Sequence, residues 1–298
     1  MKLAEQIPED VEFTNPRKLL FPRDGFTKSD VISYYWRIAD RMLPYLRGRA
    51  ITVRRFPDGI GEDGFFQKNA TDDMPDFIQT KEIATADDTM QAILVNEAAE
   101  LVWLANKGAI EFHAALAMAE TPNHPDQIIF DLDATSDEFS KIQQVAEALR
   151  AWCTENDIRP FVKSTGSRGL HVHIPIKDIQ NGDFDTIRAC AKRIAQHVVD
   201  ECPDIATLEQ RKENRGDRVY IDVQRNGYNQ TAIAPYSLRA RKGAPVATPL
   251  DWERAVQLET SGNRYKLNTL FKRLSQTEDP WKDFVPHAVQ RGAFGLTF

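Results

Sequence analysis

Cysteine is scarce in this 298-residue chain. Cys153, Cys190 and Cys202 are too few and too irregularly spaced for a disulfide framework or a CxxC metal site, so a reducing compartment fits best. Long apolar runs are missing too. Nothing approaches the roughly 18 residues of a membrane span, and the opening MKLAEQIPED has no apolar signal core. These absences point to a cytoplasmic protein. The formal net charge of −6 argues against a surface coated in positive charge, while leaving room for a local basic groove. With 42% hydrophobic residues the chain has enough apolar surface for a substantial core, which excludes a disordered polypeptide.

No repeat, low-complexity segment or obvious linker divides what is there, and one domain is expected. Residues 28–43 place Val31, Ile32, Tyr35, Ile38, Ala39, Met42 and Leu43 at helical spacing, with Thr27 or Ser29 as cap. Strands are predicted at 50–56, 64–68, 92–95, 109–117, 127–133, 159–163, 169–175, 219–223 and 231–236, and further helices at 96–108, 137–155 and 184–201. Strands and helices alternate without a strict βαβα order, which favours an α+β fold over a doubly wound parallel sheet.

Three stretches carry chemistry. In FDLD (130–133), Asp131 and Asp133 follow an apolar run, and strand period 2 puts both carboxylates on one face. Such a pair repels unless a cation intervenes, and hard divalent ions suit the oxygen donors; a plain role in capping the helix that follows is the alternative. YIDVQ (220–224) repeats the pattern at Asp222, and three strand-borne carboxylates are enough for two metal ions. In KSTGSRGLHVHIP (163–175), Gly166, Ser167 and Gly169 allow a tight turn whose N–H groups face an anion, with hydroxyls from Thr165 and Ser167 and charge from Arg168. It is not a Walker A loop, because the lysine-serine/threonine ending and the helix are missing. Farther on, Arg239 and Arg241 share one face if YSLRAR is extended, a pattern that fits phosphate oxygens or an ordinary solvated surface.

The ordered segments TNPRKLLFPRDGFTK (14–28), RRFPDGI (54–60), GFFQKN (64–69), IEFH (110–113), FDLD, STGSRGLHVHIP, IDVQRNG (221–227) and APYSLRAR (234–241) resemble the polymerase domain of bacterial and archaeal ligase D, within the archaeo-eukaryotic primase superfamily. The likeness runs from about residue 11 to about residue 275. It implies a primase-like α+β fold with mixed and antiparallel sheets flanked by helices and an RRM-like catalytic core. It also implies one primase-polymerase catalytic domain over 1–298: 5′-phosphate and template contacts at about 11–120, and catalysis at about 121–275.

Residue roles follow from that resemblance. Asp131, Asp133 and Asp222 match the metal-binding catalytic carboxylates, for Mn²⁺ or Mg²⁺ in a two-metal site. Thr165, Ser167, Arg168, His171 and Arg239, with Arg241 and His113, match nucleotide contacts. Asn15, Lys18 and Lys28 match a pocket for the 5′-phosphate of the downstream strand, and Phe65 and Phe66 a template-facing aromatic pair. Read alone, Lys18 and Lys28 are equally solvated helix termini, His113 is a satisfied strand histidine, and one of two adjacent phenylalanines is core, because neighbours on a strand face opposite ways. His173 departs from the family pattern. HVH spacing would suit zinc, but no further histidine or cysteine completes a site, which favours a structural role.

The implied reaction is template-directed nucleotidyl transfer that fills short gaps and extends ends at DNA double-strand breaks during non-homologous end joining, with ribonucleotides favoured. The implied partners are gapped or broken DNA, NTP or dNTP, Ku and a DNA ligase, in a nucleoid-associated setting. No KxDG ligase nucleophile is present in the chain. A primase or repair primase-polymerase, a metal-dependent nuclease or phosphodiesterase, and a non-catalytic DNA-end-binding module are the alternatives.

Overall fold

A reciprocal capping box starts the first long helix: Thr27 Oγ1 accepts the Asp30 N–H at 3.2 Å, and the Asp30 carboxylate accepts the Thr27 N–H at 2.7 Å. The computed structural model describes residues 12–85, 88–134, 138–177, 182–257, 262–284 and 289–290. Its elements begin with β1 (Leu19–Phe21), β2 (Phe26–Thr27), α1 (Lys28–Met42), β3 (Arg49–Arg55), β4 (Phe65–Gln67), β5 (Thr80–Ala84), β6 (Thr89–Ile93), α2 (Ala98–Asn106) and β7 (Ala109–Met118). There follow β8 (Gln127–Ala134), α3 (Phe139–Glu155), β9 (Phe161–Ser164), β10 (Leu170–Lys177), α4 (Phe184–Glu201), β11 (Ala206–Thr207), α5 (Lys212–Arg215) and β12 (Val219–Asp222). The chain closes with β13 (Thr231–Ile233), β14 (Pro249–Leu250), α6 (Trp252–Gln257), α7 (Leu270–Leu274) and β15 (Val289–Gln290). Helix and antiparallel sheet are mixed as the α+β expectation requires.

The described residues form two compact units, each built from separate stretches of chain: one within Met1–Ala115, Thr231–Val246 and Tyr265–Phe271, the other within Leu116–Gln230, Ala247–Arg264 and Lys272–Phe298. In the first unit the strand order is β13-β7-β3-β6-β5, with β4 added to β3. Helices α1 and α2 pack on each other. Tyr34 and Tyr35 are buried, and their hydroxyls donate to the Tyr236 carbonyl at 2.7 Å and the Ile110 carbonyl at 2.6 Å. These bonds satisfy phenols that burial has removed from water.

In the second unit the order is β11-β12-β8-β10-β9-β14, with β15 beside β10. Register and period 2 sort its two faces. Ile128, Phe130 and Leu132 of β8 pair with Ile174, Val172 and Leu170 of β10, and Leu132 pairs with Ile221 of β12. All of these are fully buried. Helices α3 and α4 pack against β8. Helix α3 buries Ile142, Val145, Ala146, Leu149 and Cys153 along one stripe. The other face of the same strands carries the polar chemistry.

The three cysteines are free thiols, and burial pushes Cys153 up to about 12 and Cys190 up to about 11. These two are inert core groups. Among the described residues no helix is long and apolar enough to cross a membrane.

Candidate active site and nucleic-acid contacts

One row of side chains crosses four strands of the second sheet. Lys163 of β9 pairs with His171 of β10, His171 with Asp131 of β8, and Asp131 with Asp222 of β12. Cross-strand partners point to the same face, so these four residues line up. Asp133 lies on that face two residues beyond Asp131, opposite Tyr220. His171 Nε2 sits 3.3 Å from Asp131 Oδ1, and Arg225 Nε lies 3.5 Å from Asp131 Oδ2 and 4.0 Å from Asp222 Oδ2. Asp133 has Arg168 and Arg215 each at 4.0 Å.

The electrostatics follow from burial and neighbours. Burial raises the Asp131 carboxyl, but His171, Arg225 and Lys163 outweigh it and hold Asp131 ionised, below the usual carboxylate range. His171 moves down to about 4, first because it is buried and then because Lys163 lies near, so the imidazole is neutral at neutral pH. Asp222 is shifted upward by burial and by the charge of Asp131, against the pull of the Gln224 N–H, which donates to it at 2.8 Å. Buried His171 Nδ1 has no hydrogen-bond partner among the described residues.

The turn before β10 departs from its expected anion cradle. The Ser167 and Gly169 N–H groups point to Thr165 Oγ1, at 3.2 and 3.3 Å, the Thr165 hydroxyl donates to the Gly169 carbonyl at 3.1 Å, and the Gly166 N–H bonds the Gly262 carbonyl at 3.1 Å. The turn closes on itself, and the N–H groups of Thr165, Gly166, Ser167 and Gly169 are already used. Gly166 has φ of +65°, and a Cβ at Gly169 would meet the Leu132 carbonyl oxygen at 2.2 Å, so both glycines are sterically required. Ser167 is half-buried and Arg168 exposed. His173 is a buried structural residue, hydrogen-bonded through Nδ1 to Gln127 at 2.9 Å and packed 4.8 Å from the Trp281 ring.

The first unit gathers other predicted residues. Asn15 takes the left-handed conformation, φ of 49°, and its carbonyl accepts the Lys18 N–H at 3.0 Å. The Lys18 carbonyl accepts the Lys28 N–H at 2.8 Å, which brings all three residues to the N-terminus of α1. Lys28 is buried, its Nζ 3.1 Å from Thr14 Oγ1, and burial, Lys18 and Lys107 push it below the usual lysine value. Lys18 pairs with Asp58 at 2.6 Å. A buried lysine at the positive end of a helix, with two more lysines near, is an arrangement that an anion relieves.

Phe65 and Phe66 are both exposed, at 48% and 58%, which corrects the expectation that one is core. Strand β4 has only three residues and lies outside the main strand path; Gln67 is buried, while the two rings before it stay open to solvent. Register sets Arg55 opposite Phe65 and Arg54 opposite Phe66, and each guanidinium lies over its ring at 5.4 and 5.3 Å. The Phe66 ring also meets His113 edge-on at 5.7 Å. His113 Nε2 is 3.1 Å from Glu111, and the same carboxylate takes Arg239 Nε at 3.2 Å. Arg241 is exposed, and its N–H bonds the Arg239 carbonyl at 2.8 Å in a bend, so the segment is not extended there.

Sequence reasoning passed over Glu111, Lys163, Arg215 and Arg225. Glu111, Lys163 and Arg225 stood inside quoted motifs, and for the first two the signal was a charged residue at an inward position of an apolar strand.

The donor set suits a hard divalent ion: two carboxylates directly opposed across β8 and β12, one shifted up by burial and by the other's charge, and a third on the same face. As placed, among the described residues no three His, Cys, Asp or Glu side chains converge on a single ligand position. Arg225 is the cation that lies beside Asp131 and Asp222.

The family described as LigD, primase-polymerase domain, matches residues 27–281. The chain is 31% identical over 260 residues to the multifunctional non-homologous end joining protein LigD of Mycolicibacterium smegmatis, covering 86% of this chain and 34% of that protein. It is 31% identical over 282 residues to the bifunctional non-homologous end joining protein LigD of Bacillus subtilis, covering 94% and 45%. The chain thus spans less than half the length of these relatives. Among solved structures, the polymerase domain from Mycobacterium tuberculosis ligase D in complex with DNA matches with a TM-score of 0.85 at 27% identity, over 94% of this chain and 100% of that one. Such a domain is a nucleotidyltransferase-type enzyme. The chain belongs to the LigD primase-polymerase domain family.

Proposed function

We propose that this chain carries out template-directed nucleotidyl transfer at DNA gaps and ends, in the service of non-homologous end joining. The observation that carries the reading is the row Lys163, His171, Asp131, Asp222 on the polar face of one sheet, in a chain of this family. Asp131, Asp133 and Asp222 are the residues that would hold divalent ions, Mn²⁺ or Mg²⁺, which lower the pKa of a primer 3′-hydroxyl and offset charge on a leaving pyrophosphate.

The chain's own residues do the rest. His171 is neutral and directs its Nε2–H at the ionised Asp131, which leaves Nδ1 as an acceptor that suits a hydroxyl of the nucleotide rather than a phosphate oxygen. Arg168 adds an exposed guanidinium on the same unit, with Ser167 beside it. Because Thr165 spends its hydroxyl on the turn, it positions Arg168 and His171 rather than contacting phosphate itself. In the first unit, His113 and Arg239 take nucleotide phosphates, with Arg241 as an exposed outer charge. Asn15, Lys18 and Lys28 capture a 5′-phosphate, and Phe65 and Phe66 stack template bases. Ku and a DNA ligase are the expected partners, and ribonucleotides the favoured substrates.

The test is extension of a labelled primer across a short gap in Mn²⁺, with and without a 5′-phosphate on the downstream strand, comparing NTP with dNTP. Extension that the 5′-phosphate stimulates, and that Lys18→Ala and Lys28→Ala make indifferent to it, is the expected result. Stimulation that survives both substitutions removes the phosphate-pocket assignment.

A further inference from the structure

Glu111 lies in β7 between Ile110 and Phe112, both fully buried, and is itself 2% exposed. A carboxylate in such surroundings is costly unless its oxygens are satisfied by donors. Both are. Oε2 meets His113 Nε2 at 3.1 Å, while Oε1 takes Arg239 Nε at 3.2 Å and the Ala240 N–H at 3.0 Å. One buried anion therefore grips two side chains that lie 126 residues apart in sequence (239 − 113).

The backbone is built to bring them there. Ile233 of β13 pairs with His113 of β7, the Ala234 N–H bonds the Phe112 carbonyl at 2.9 Å, and Ser237 Oγ accepts the Phe112 N–H at 2.8 Å. Tyr236 then adopts φ of +66°, a strained setting for an aromatic residue that turns the chain back toward Glu111. Phe66 closes the other side of His113.

We propose that Glu111 is a positioning residue for nucleotide binding: it anchors the Arg239 guanidinium by its Nε edge and fixes the ring orientation of His113, so that both meet phosphate oxygens already aligned. The logic is that of outer partners that orient metal-binding or catalytic side chains, where ordering is done during folding and not at the moment of binding. Burial alone would push the Glu111 carboxyl up; His113, Arg239 and the Ala240 N–H together bring it down to about 2, so it stays ionised across the working pH range. The inference rests on the reading of Arg239 as a phosphate contact.

The experiment is a double-mutant cycle on primer extension, with KM for the nucleotide and kcat measured for the wild type, Glu111→Gln, Arg239→Ala and the double variant, and circular dichroism for folding. Arg239→Ala is expected to raise KM about tenfold, Glu111→Gln to raise it by a similar factor with kcat little changed, and the double variant to exceed Arg239→Ala only by the share that runs through His113, well short of the product of the two single effects. Effects that multiply in the double variant, or a Glu111→Gln enzyme with wild-type KM, overturn the positioning role while leaving Arg239 as a contact. An Arg239→Ala enzyme with wild-type KM shows instead that the underlying reading of Arg239 is wrong, and the inference falls with it. If Glu111→Gln does not fold, Glu111→Asp, which keeps the charge on a shorter stem, runs the same cycle with the same two outcomes.

Discussion

Asp131 and Phe66 mark the two ways this chain presents a side chain that the proposed function would use. Asp131 is 18% exposed, held on a central strand between register partners that fix its charge and orientation; Phe66 is 58% exposed on a three-residue strand, with only Arg54 and His113 against its ring. The difference separates chemistry from affinity. A carboxylate that must face developing charge gains from a rigid, desolvated setting whose dipoles do not reorganise. A stacking ring needs only to be available, and exposure costs the fold little, because the flat face is worth its full area when a base arrives.

The contrast is open to four tests. Phe130→Ala, on the apolar face directly behind Asp131, removes a fully buried ring and is expected to cost about 3–5 kcal/mol in denaturant unfolding. Asp131→Asn preserves volume and removes the charge; nucleotide addition should fall by about 100-fold or more while circular dichroism shows a folded chain. Phe66→Ala should weaken single-stranded template binding by roughly 1–3 kcal/mol, measured by fluorescence anisotropy, and leave the thermal midpoint unchanged. The smallest effect is in pH. Glu111 is brought from 4.5 down to about 2 in the folded chain, so the stability it adds is complete above its unfolded value and is lost as pH falls toward the folded one. Unfolding free energies of Glu111→Gln over that acid range should therefore be flatter than those of the wild type.

Elements with a strong period were legible from the residues alone. The apolar stripe of 28–43 and its Thr27 cap gave α1 almost to the residue, and alternation in QIIFDLDA put Asp131 and Asp133 on one face. Strands β1, β2, β11 and β14 have only two or three residues each and so carry no period to read. Residues 86–87, 135–137, 178–181, 258–261 and 285–288, including the start of the expected helix at 137, lie outside those described. The site was legible in its residue types and obscure in its wiring. Nothing local to Glu111 says that Arg239 will return to it, because that contact depends on β13 pairing with β7. Nor does KSTGSRG reveal that Thr165 collects the turn's N–H groups, which requires knowing the path of the loop.

Transfer of nucleotides onto a primer end by the polar face bearing Asp131 is the step on which the proposed function stands. Denaturing-gel analysis of a 5′-labelled primer on a gapped template, with nucleoside triphosphates and Mn²⁺, compares wild type with Asp131→Asn most directly. Primers lengthened by one or a few nucleotides are expected from the wild type, and unchanged primers from the variant. Shortened primers, or equal extension by both proteins, would contradict that step.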